Sequence, residues 1–283
     1  MRTTEEMMQL ILSFARAEER IKVVGMEGSR TNKEIKKDDF QDYDITYIVT
    51  DMAPFVDHEE WLDIFGERIF MQKPEAMTLY PPELGNWFSY LMLFEDGNRM
   101  DLTVVPLNEL DLYLSSESSL EILLDKDGLV EENPKSSFVS YLIEKPTAQK
   151  FDDCCNEFWW ISTYVAKGIY RKQFLFAAEH LNQNLRTELY RMIEWQIGFE
   201  HKFSISVGKN YKYLEKYVDE NLWKQIMATY EMGSYEEIWE VLKIIYSLFR
   251  ESSMEVAKKL EVSYPVYDKN ISNYLMNLQK KYT

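Results

Sequence analysis

Asp42–Thr50 reads DYDITYIVT and is the clearest strand in this sequence. Its Tyr, Ile, Val and Thr residues favour a pleated, partly buried strand over a helix. Residues two apart in a strand point to the same side, so Asp42 and Asp44 would place two carboxylates next to each other. Two like charges that close are costly unless a cation lies between them. We therefore predict a strand that begins with a pair of carboxylates suited to a cation.

Strand patterns also lie on both sides of this stretch. Ile21–Glu27 is a short β-branched run that ends at Gly28-Ser29, which is typical of a strand entering a turn. Phe88–Phe94 and Arg99–Val105 are apolar runs separated by an Asp-Gly-Asn sequence that tolerates positive φ. The other predicted elements are an amphipathic helix in the first twenty residues, a helical piece at Trp61–Phe65 and a short strand at Glu67–Gln72. Together they describe a mixed sheet with helices on it.

The pattern changes to long helical stretches from about Phe151 onward. Aromatic residues there often recur at spacings of three and four, and Gly and Pro become sparse. Pro146 precedes the first of these helices, which is typical of a helix start. A length of 283 residues also favours two domains. We predict an α+β chain in which residues 1–145 form a mixed-sheet domain and residues 146–283 form a helical bundle.

The composition indicates a soluble cytoplasmic protein. No apolar run approaches the roughly 18 residues that a membrane span requires, and the first twenty residues lack a secretory pattern. Cys154 and Cys155 are the only cysteines, and a disulfide between neighbours would be badly strained. A reducing compartment therefore fits. The histidines have no metal-ligand spacing.

The net charge of −16 is concentrated in the first half of the chain. Residues 1–145 carry 30 acidic and 14 basic side chains, whereas residues 146–283 carry 18 of each. A field of this sign repels nucleic acid and anionic membrane and attracts divalent metals and polycations. Acidic surfaces are common in soluble proteins, however, so the charge excludes partners without naming a substrate.

Three acidic positions follow a Gly-Ser turn in order along the predicted sheet. Gly28-Ser29 comes first, then Asp42 and Asp44, and then Asp101 near the start of a later strand. Taken singly, each aspartate is also explained as a solubility charge at a strand edge. Asp is depleted in strands, however, and all three flank strongly β-forming sequence. An adjacent strand contributing Asp101 would complete a three-carboxylate cluster suited to two Mg²⁺ ions.

This order of a Gly-Ser turn, Asp-x-Asp on one strand and a third Asp on a later strand resembles the polymerase-β-like nucleotidyltransferase superfamily. A closer resemblance, to the aminoglycoside 6-adenylyltransferases, spans nearly the whole chain. The segments that carry it are Glu27–Asn32 (EGSRTN), Phe40–Ile45 (FQDYDI), Trp61–Gly66 (WLDIFG), Phe151–Trp160 (FDDCCNEFWW) and Gly208–Leu214 (GKNYKYL).

The resemblance implies transfer of AMP from ATP to a hydroxyl of an aminoglycoside, above all the 6-hydroxyl of streptomycin, with loss of pyrophosphate. Such a reaction confers antibiotic resistance. It further implies that Asp42 and Asp44 bridge two Mg²⁺ ions and that Asp101 holds the ion nearest the attacking hydroxyl. Asp101 is also the first candidate for accepting the proton. The backbone and hydroxyl of Gly28-Ser29 would hold the β- and γ-phosphates, since a turn that opens a helix presents free N–H groups.

Further candidates lie beside the turn and in the second domain. Arg30 is within reach of a phosphate, although a loop arginine is more often solvated. Lys209 and Lys212, three apart on a predicted helix, form either a triphosphate clamp or an ordinary basic face.

Three acids near the start of the helical domain are candidates for acceptor binding. Asp152, Asp153 and Glu157 suit the guanidinium groups of a streptomycin-like acceptor, because carboxylates accept paired hydrogen bonds from them. The alternative is that they favour the helix dipole from its first turn. Trp159 and Trp160, in the same segment, are predicted to be core residues.

Three other functions compete with this interpretation. A nucleotidyltransferase of the same fold would keep the metal site and act on another small molecule or on a protein. A non-catalytic nucleotide-binding regulator is disfavoured, because a binding module does not need all three aspartates. Nucleic-acid polymerisation is disfavoured by the acidic charge. The expected partners are therefore ATP and a small cationic aminoglycoside, with no nucleic acid and no membrane.

Overall fold

The computed structural model describes residues 1–32, 38–116, 119–131 and 142–282. The chain divides into two compact units, Met1–Ser140 and Tyr141–Thr283. The roles that the sequence suggests for residues 1–145 (catalysis) and 146–283 (binding of substrate and nucleotide) stay predictions. In the described ranges, no helix is long and apolar enough to cross a membrane.

The first unit is built on a mixed six-stranded sheet with the strand order β3-β4-β5-β2-β1-β6. Only β2 and β5 run parallel, and every other neighbouring pair is antiparallel. The strands are β1 (Ile21–Glu27), β2 (Tyr43–Val49), β3 (Arg68–Gln72), β4 (Phe88–Phe94), β5 (Arg99–Pro106) and β6 (Leu120–Asp125). The helices of this unit are α1 (Thr4–Ala17), α2 (Ala53–Val56) and α3 (Leu110–Ser116).

The alternation of β2 and β5 gives the sheet one apolar core face, whereas the opposite face carries carboxylates where these strands begin and a second apolar cluster further along. Tyr43, Ile45 and Tyr47 of β2 are buried, as are the residues opposite them on β5 (Met100, Leu102 and Val104). Burying each such side chain contributes about 1.5–3 kcal/mol. The intervening residues point to the other face, where Asp44 lies directly opposite Asp101. The core therefore fixes the register that brings these two carboxylates together.

Helix α1 covers the core face of the sheet. Its start is set by Thr3, whose side chain accepts a hydrogen bond from the backbone of Glu6, while the Glu6 carboxylate caps the backbone N–H of Thr3. Met7, Ile11 and Ala15 lie one turn apart, and all three are fully buried in the core that contains β2 and β5. The amphipathic helix predicted for the first twenty residues is confirmed.

The second unit is helical. Its helices are α4 (Ala148–Tyr170), α5 (Phe174–Glu179), α6 (Arg186–Glu200), α7 (Glu220–Ala228), α8 (Tyr235–Leu260) and α9 (Tyr267–Tyr282), with a π-helical segment at His180–Leu185. Phe158 of α4 stacks on Phe249 of α8, with ring centroids 3.6 Å apart. Cys154 and Cys155 are buried free thiols beside them in the same core.

The helical piece predicted at Trp61–Phe65 is confirmed as a 3₁₀ helix, the core prediction for Trp160 was wrong, and one strand was missed. Glu60–Phe65 forms a 3₁₀ helix that ends at Gly66, which adopts a φ of 108°. Trp160 is 56% exposed because it lies on the outer face of α4, whereas Trp159 is buried as predicted. Strand β6 was not expected, since its sequence LEILLD is short and apolar without the alternation of a half-buried strand.

Candidate functional site

The Gly-Ser turn lies against Asp44. Gly28–Thr31 forms a single 3₁₀ turn directly after β1, and Gly28 has a φ of 71°. A methyl group on Gly28 would lie 3.0 Å from Cγ of Asp44 and closer still to Oδ2. Position 28 therefore requires glycine for two reasons. The backbone is left-handed, and the Asp44 carboxylate occupies the space that a side chain would need. The predicted helix after the turn is only this short 3₁₀ segment.

The turn is anchored through the carbonyl oxygen of Gly28. Thr31 Oγ1 donates to it at 2.9 Å, and Ser119 Oγ donates to it at 3.3 Å. Ser119 immediately precedes β6, which pairs with β1. The strand pair β1–β6 thus holds the backbone of the turn in place. Gln41 Nε2 donates to the Ser29 hydroxyl at 3.4 Å, so the predicted phosphate-binding hydroxyl faces the chain that leads into β2.

Arg99 joins two of the three predicted carboxylates. Asp42 lies one residue before β2, and Arg99 is the first residue of β5. The Arg99 guanidinium donates to both oxygens of Asp101, with Nε–Oδ1 at 3.1 Å and Nη2–Oδ2 at 2.9 Å. Its Nη1 lies 3.5 Å from Oδ2 of Asp42. One cation therefore bridges Asp42 and Asp101.

The closeness of these charged side chains shifts the pKa values of Asp42 and Arg99. Burial raises the pKa of the Asp42 carboxyl above its usual range; Arg99 opposes the rise, Asp101 adds to it, and Arg30 opposes it. The hydrogen bonds that Arg99 donates to Asp101 raise the pKa of Arg99, and the charges of Asp101, Asp42 and Asp44 act in the same direction against partial burial. Arg99 is thus a fully charged counter-ion among three acids.

The chemistry of these side chains fits a hard divalent cation. All three contribute carboxylate oxygens, which are the ligands that Mg²⁺ prefers, and a cation already lies between two of them. In the part of the chain that the structure describes, however, no group of three or more His, Cys, Asp or Glu side chains is placed to hold a metal ion. Arg99 occupies the approach to Asp42 and Asp101. The assignment of Asp42, Asp44 and Asp101 as metal ligands stays a prediction.

Arg30 binds the backbone that leads into β2. Its Nε donates to the Asp42 carbonyl at 2.8 Å, and its Nη2 donates to the Gln41 carbonyl at 2.7 Å. The guanidinium also lies 3.6 Å from the centre of the Tyr43 ring. In this arrangement Arg30 positions the residues next to the carboxylates. Its predicted contact with a nucleotide phosphate stays a prediction.

The predicted helix that carries Lys209 and Lys212 does not form. Lys209–Tyr211 is a 3₁₀ turn that follows Gly208, which has a φ of 74°. Asn210 and Tyr211 adopt left-handed φ values of 54° and 61°, and a helix cannot continue through them. Both lysines are exposed. Their predicted role as a triphosphate clamp stays a prediction, but it does not rest on a shared helical face.

The three acids of the second unit lie on α4, beyond its first turn. The helix begins at Ala148 after the N-cap Thr147, so the first-turn dipole effect does not explain them. Asp152 Oδ1 accepts a hydrogen bond from the Tyr267 hydroxyl at 3.0 Å, and Asp153 Oδ1 accepts one from Gln149 at 2.8 Å. Asp152, Asp153 and Glu157 are all exposed. Their role in acceptor binding stays a prediction.

Arg99 was not among the residues predicted to belong to the site. The signal was present, because Arg99 and Asp101 are two apart on a predicted strand and must share a face. Ser119 gave no such signal. It reaches Gly28 only because β6 pairs with β1, and β6 was not predicted.

Comparison with known proteins gives one consistent result. A family model described as streptomycin adenylyltransferase matches residues 1–278. Aminoglycoside 6-adenylyltransferases of Bacillus subtilis (strain 168) and Campylobacter jejuni are each 49% identical to this chain. The first match covers 97% of both chains, and the second covers 100% of this chain and 98% of the relative. The crystal structure of an aminoglycoside 6-adenyltransferase from Bacillus subtilis covers 99% of both chains at 46% identity, with a TM-score of 0.50.

Proposed function

Because the chain belongs to the streptomycin adenylyltransferase family, we propose that it transfers AMP from magnesium-ATP to the 6-hydroxyl of streptomycin and releases pyrophosphate. The family predicted from the sequence is confirmed, and the chain is an adenylyltransferase that acts in aminoglycoside resistance. The identity of the acceptor, the hydroxyl and the metal are the proposed parts. Cytoplasmic action is also proposed, since the buried thiols of Cys154 and Cys155 suit a reducing compartment.

The observation that carries the proposal is the placement of Asp44 opposite Asp101, with the Gly28 turn packed against Asp44. Asp42, Asp44 and Asp101 would hold two Mg²⁺ ions, which when bound neutralise the triphosphate and lower the pKa of the attacking hydroxyl. Backbone N–H groups of the turn and the Ser29 hydroxyl would bind the β- and γ-phosphates. The same short segment would then bind the phosphates while it packs against the Asp44 carboxylate.

The chemical step is an in-line displacement at the α-phosphorus. The acceptor oxygen forms a bond to that phosphorus, and the bond from phosphorus to the bridging oxygen of the leaving pyrophosphate breaks. The hydroxyl proton passes to a base, for which we propose the Asp101 carboxylate. Asp101 is suited to this role because it lies opposite Asp44 in the sheet, with part of its side chain exposed.

The acceptor is proposed from charge and hydrogen-bond geometry. Streptomycin carries two guanidinium groups, whereas kanamycin carries amines, and carboxylates bind the planar guanidinium in pairs. Asp153 and Glu157 lie four residues apart on α4 and are exposed, so they share a face that solvent reaches. The excess of acidic side chains in residues 1–145 attracts a polycation as well.

The test is pyrophosphate release with Mg²⁺, ATP and either streptomycin or kanamycin, with the product mass checked for one added AMP. We expect release with streptomycin only, and none in excess chelator. Asp44→Asn should lower turnover by orders of magnitude without unfolding the protein, whereas the control Asp57→Asn, at an exposed acid after β2, should not. Equal release with and without streptomycin would refute the acceptor, and full activity of Asp44→Asn would refute the mechanism.

A further inference from the structure

Arg99 binds two of the three carboxylates that the proposed function assigns to a metal. Both oxygens of Asp101 accept its hydrogen bonds, and Oδ2 of Asp42 lies 3.5 Å from its Nη1. The oxygen lone pairs that point at the guanidinium are therefore not available to a second cation in this arrangement. A divalent ion placed among the same oxygens would also be repelled by the guanidinium charge.

The position of Arg99 is set by the sheet. The Arg99 backbone belongs to β5 and pairs with Leu93 of β4, so the residue cannot move away as a whole. Its side chain is 47% exposed, however, and solvent is available to it if it leaves the carboxylates. The structure therefore leaves room for the Arg99 side chain to leave the carboxylates while its backbone stays in the sheet.

The three carboxylates need a counter-ion when no metal is bound. Asp44 and Asp101 lie opposite each other in the sheet, and Asp42 is close enough to act on the same arginine. Like charges that close destabilise the folded chain. Arg99 is the cation that the structure places against Asp42 and Asp101. Its guanidinium holds both carboxylates in place and balances part of their charge.

We propose that Arg99 is a positioning residue that acts as an internal counter-ion, held by Asp42 and Asp101 in the metal-free enzyme and displaced when the metal binds. The inference rests on the proposed function in one respect, that a divalent metal uses these carboxylates. The consequence is weak binding of free metal. Metal that arrives with ATP binds better, because the phosphates add oxygen ligands and offer the released guanidinium a new anionic partner.

The test measures Mn²⁺ binding to the full chain by the EPR signal of free Mn²⁺, first without nucleotide. Arg99→Met should bind Mn²⁺ about tenfold or more tightly than the wild type, the order expected when one nearby charge is removed from a partly exposed site. Arg99→Lys should lie between them, because lysine keeps the charge but cannot bind both carboxylates as a planar fork. Arg20→Met is the matched control, since Arg20 forms a similar two-pronged pair with Glu18 in the same unit.

A non-hydrolysable ATP analogue supplies the second readout. It should tighten Mn²⁺ binding by a larger factor in the wild type than in Arg99→Met, because only the wild type has a counter-ion to displace. Arg99→Lys gives the same comparison if Arg99→Met does not fold.

The outcomes separate the two proposals. If Asp44→Asn weakens Mn²⁺ binding but neither Arg99→Met nor Arg99→Lys tightens it, the counter-ion role of Arg99 is overturned and the metal site stands. If Asp44→Asn leaves Mn²⁺ binding unchanged, both in the wild type and in the Arg99 variants, the metal site of the proposed function is overturned. The counter-ion role of Arg99 is then overturned as well.

Discussion

Gly28→Ala tests whether the approach of the Gly-Ser turn to Asp44 determines activity. The added methyl group would lie 3.0 Å from Asp44 Cγ and within the van der Waals contact of Oδ2. Gly28 also has a φ of 71°, which an alanine adopts only with strain. The turn cannot retreat freely, because the Gly28 carbonyl is held by Thr31 and Ser119. The Asp44 carboxylate must therefore give way.

The two effects of this substitution have different sizes. A left-handed backbone costs an alanine about 1–2 kcal/mol, which lowers stability without unfolding a typical domain. Displacement of Asp44 affects the chemistry, since an error of about 1 Å in a positioned group can cost about 100-fold in rate. We expect a modest loss of stability and a loss in kcat/KM of about 100-fold or more.

Gly128→Ala is the matched control. Gly128 has a φ of 66°, but a methyl group there would have no atom within 4 Å. It carries the backbone strain without the collision. The assay is pyrophosphate release at varied ATP with saturating Mg²⁺ and streptomycin, which gives kcat/KM for ATP, beside thermal unfolding of both variants. If Gly28→Ala loses no more activity than Gly128→Ala, the contact with Asp44 does not determine catalysis and the reasoning is refuted.

Two further predictions concern pH and the acceptor. The hydrogen bond that Arg2 donates to Asp96 is the main cause that holds the pKa of Asp96 well below its usual range. The ionised Asp96 therefore stabilises the fold above the ordinary pKa of an aspartate, and this stabilisation is lost as pH falls. Asp96→Asn should therefore cost about 1 kcal/mol at pH 7, discounted for partial exposure, and the difference in melting temperature from the wild type should shrink in acid; a constant difference at all pH values would contradict this. Replacing Asp153 or Glu157 with Ala should raise the KM for streptomycin more than the KM for ATP, and added salt should weaken streptomycin binding; equal changes in both KM values would argue against acceptor binding on α4.

The central strands could be predicted because their local signals agree with one another. Ile21–Glu27 alternates little but ends at a glycine, and the structure places β1 at those bounds. The turn between β4 and β5 contains Gly97 with a φ of 84°, which its Asp-Gly-Asn sequence anticipated. Hydrophobic periodicity and turn residues are local properties. They place elements well wherever tertiary contacts do not override them.

The parts that were missed depend on residues far apart in the chain. β6 is a strand because it pairs with β1, and Ser119 reaches Gly28 across 91 positions of sequence. The left-handed residues Asn210 and Tyr211 interrupt what reads as a helical segment, and no local residue type demanded that break. Sequence periodicity does not contain these contacts, so prediction from one sequence could not have found them.

The position of Asp42 depends on more than the periodicity of a strand. The periodicity of a strand would place Asp42 and Asp44 side by side, but β2 begins at Tyr43, so no strand ladder holds Asp42. Arg30 does so instead, by binding the carbonyl oxygens of Gln41 and Asp42 and stacking on Tyr43. Arg99 then holds the Asp42 carboxylate from the other side. Two arginines thus position the first aspartate of the motif, one through its backbone and one through its side chain, and the spacing of the motif alone does not determine where that carboxylate points.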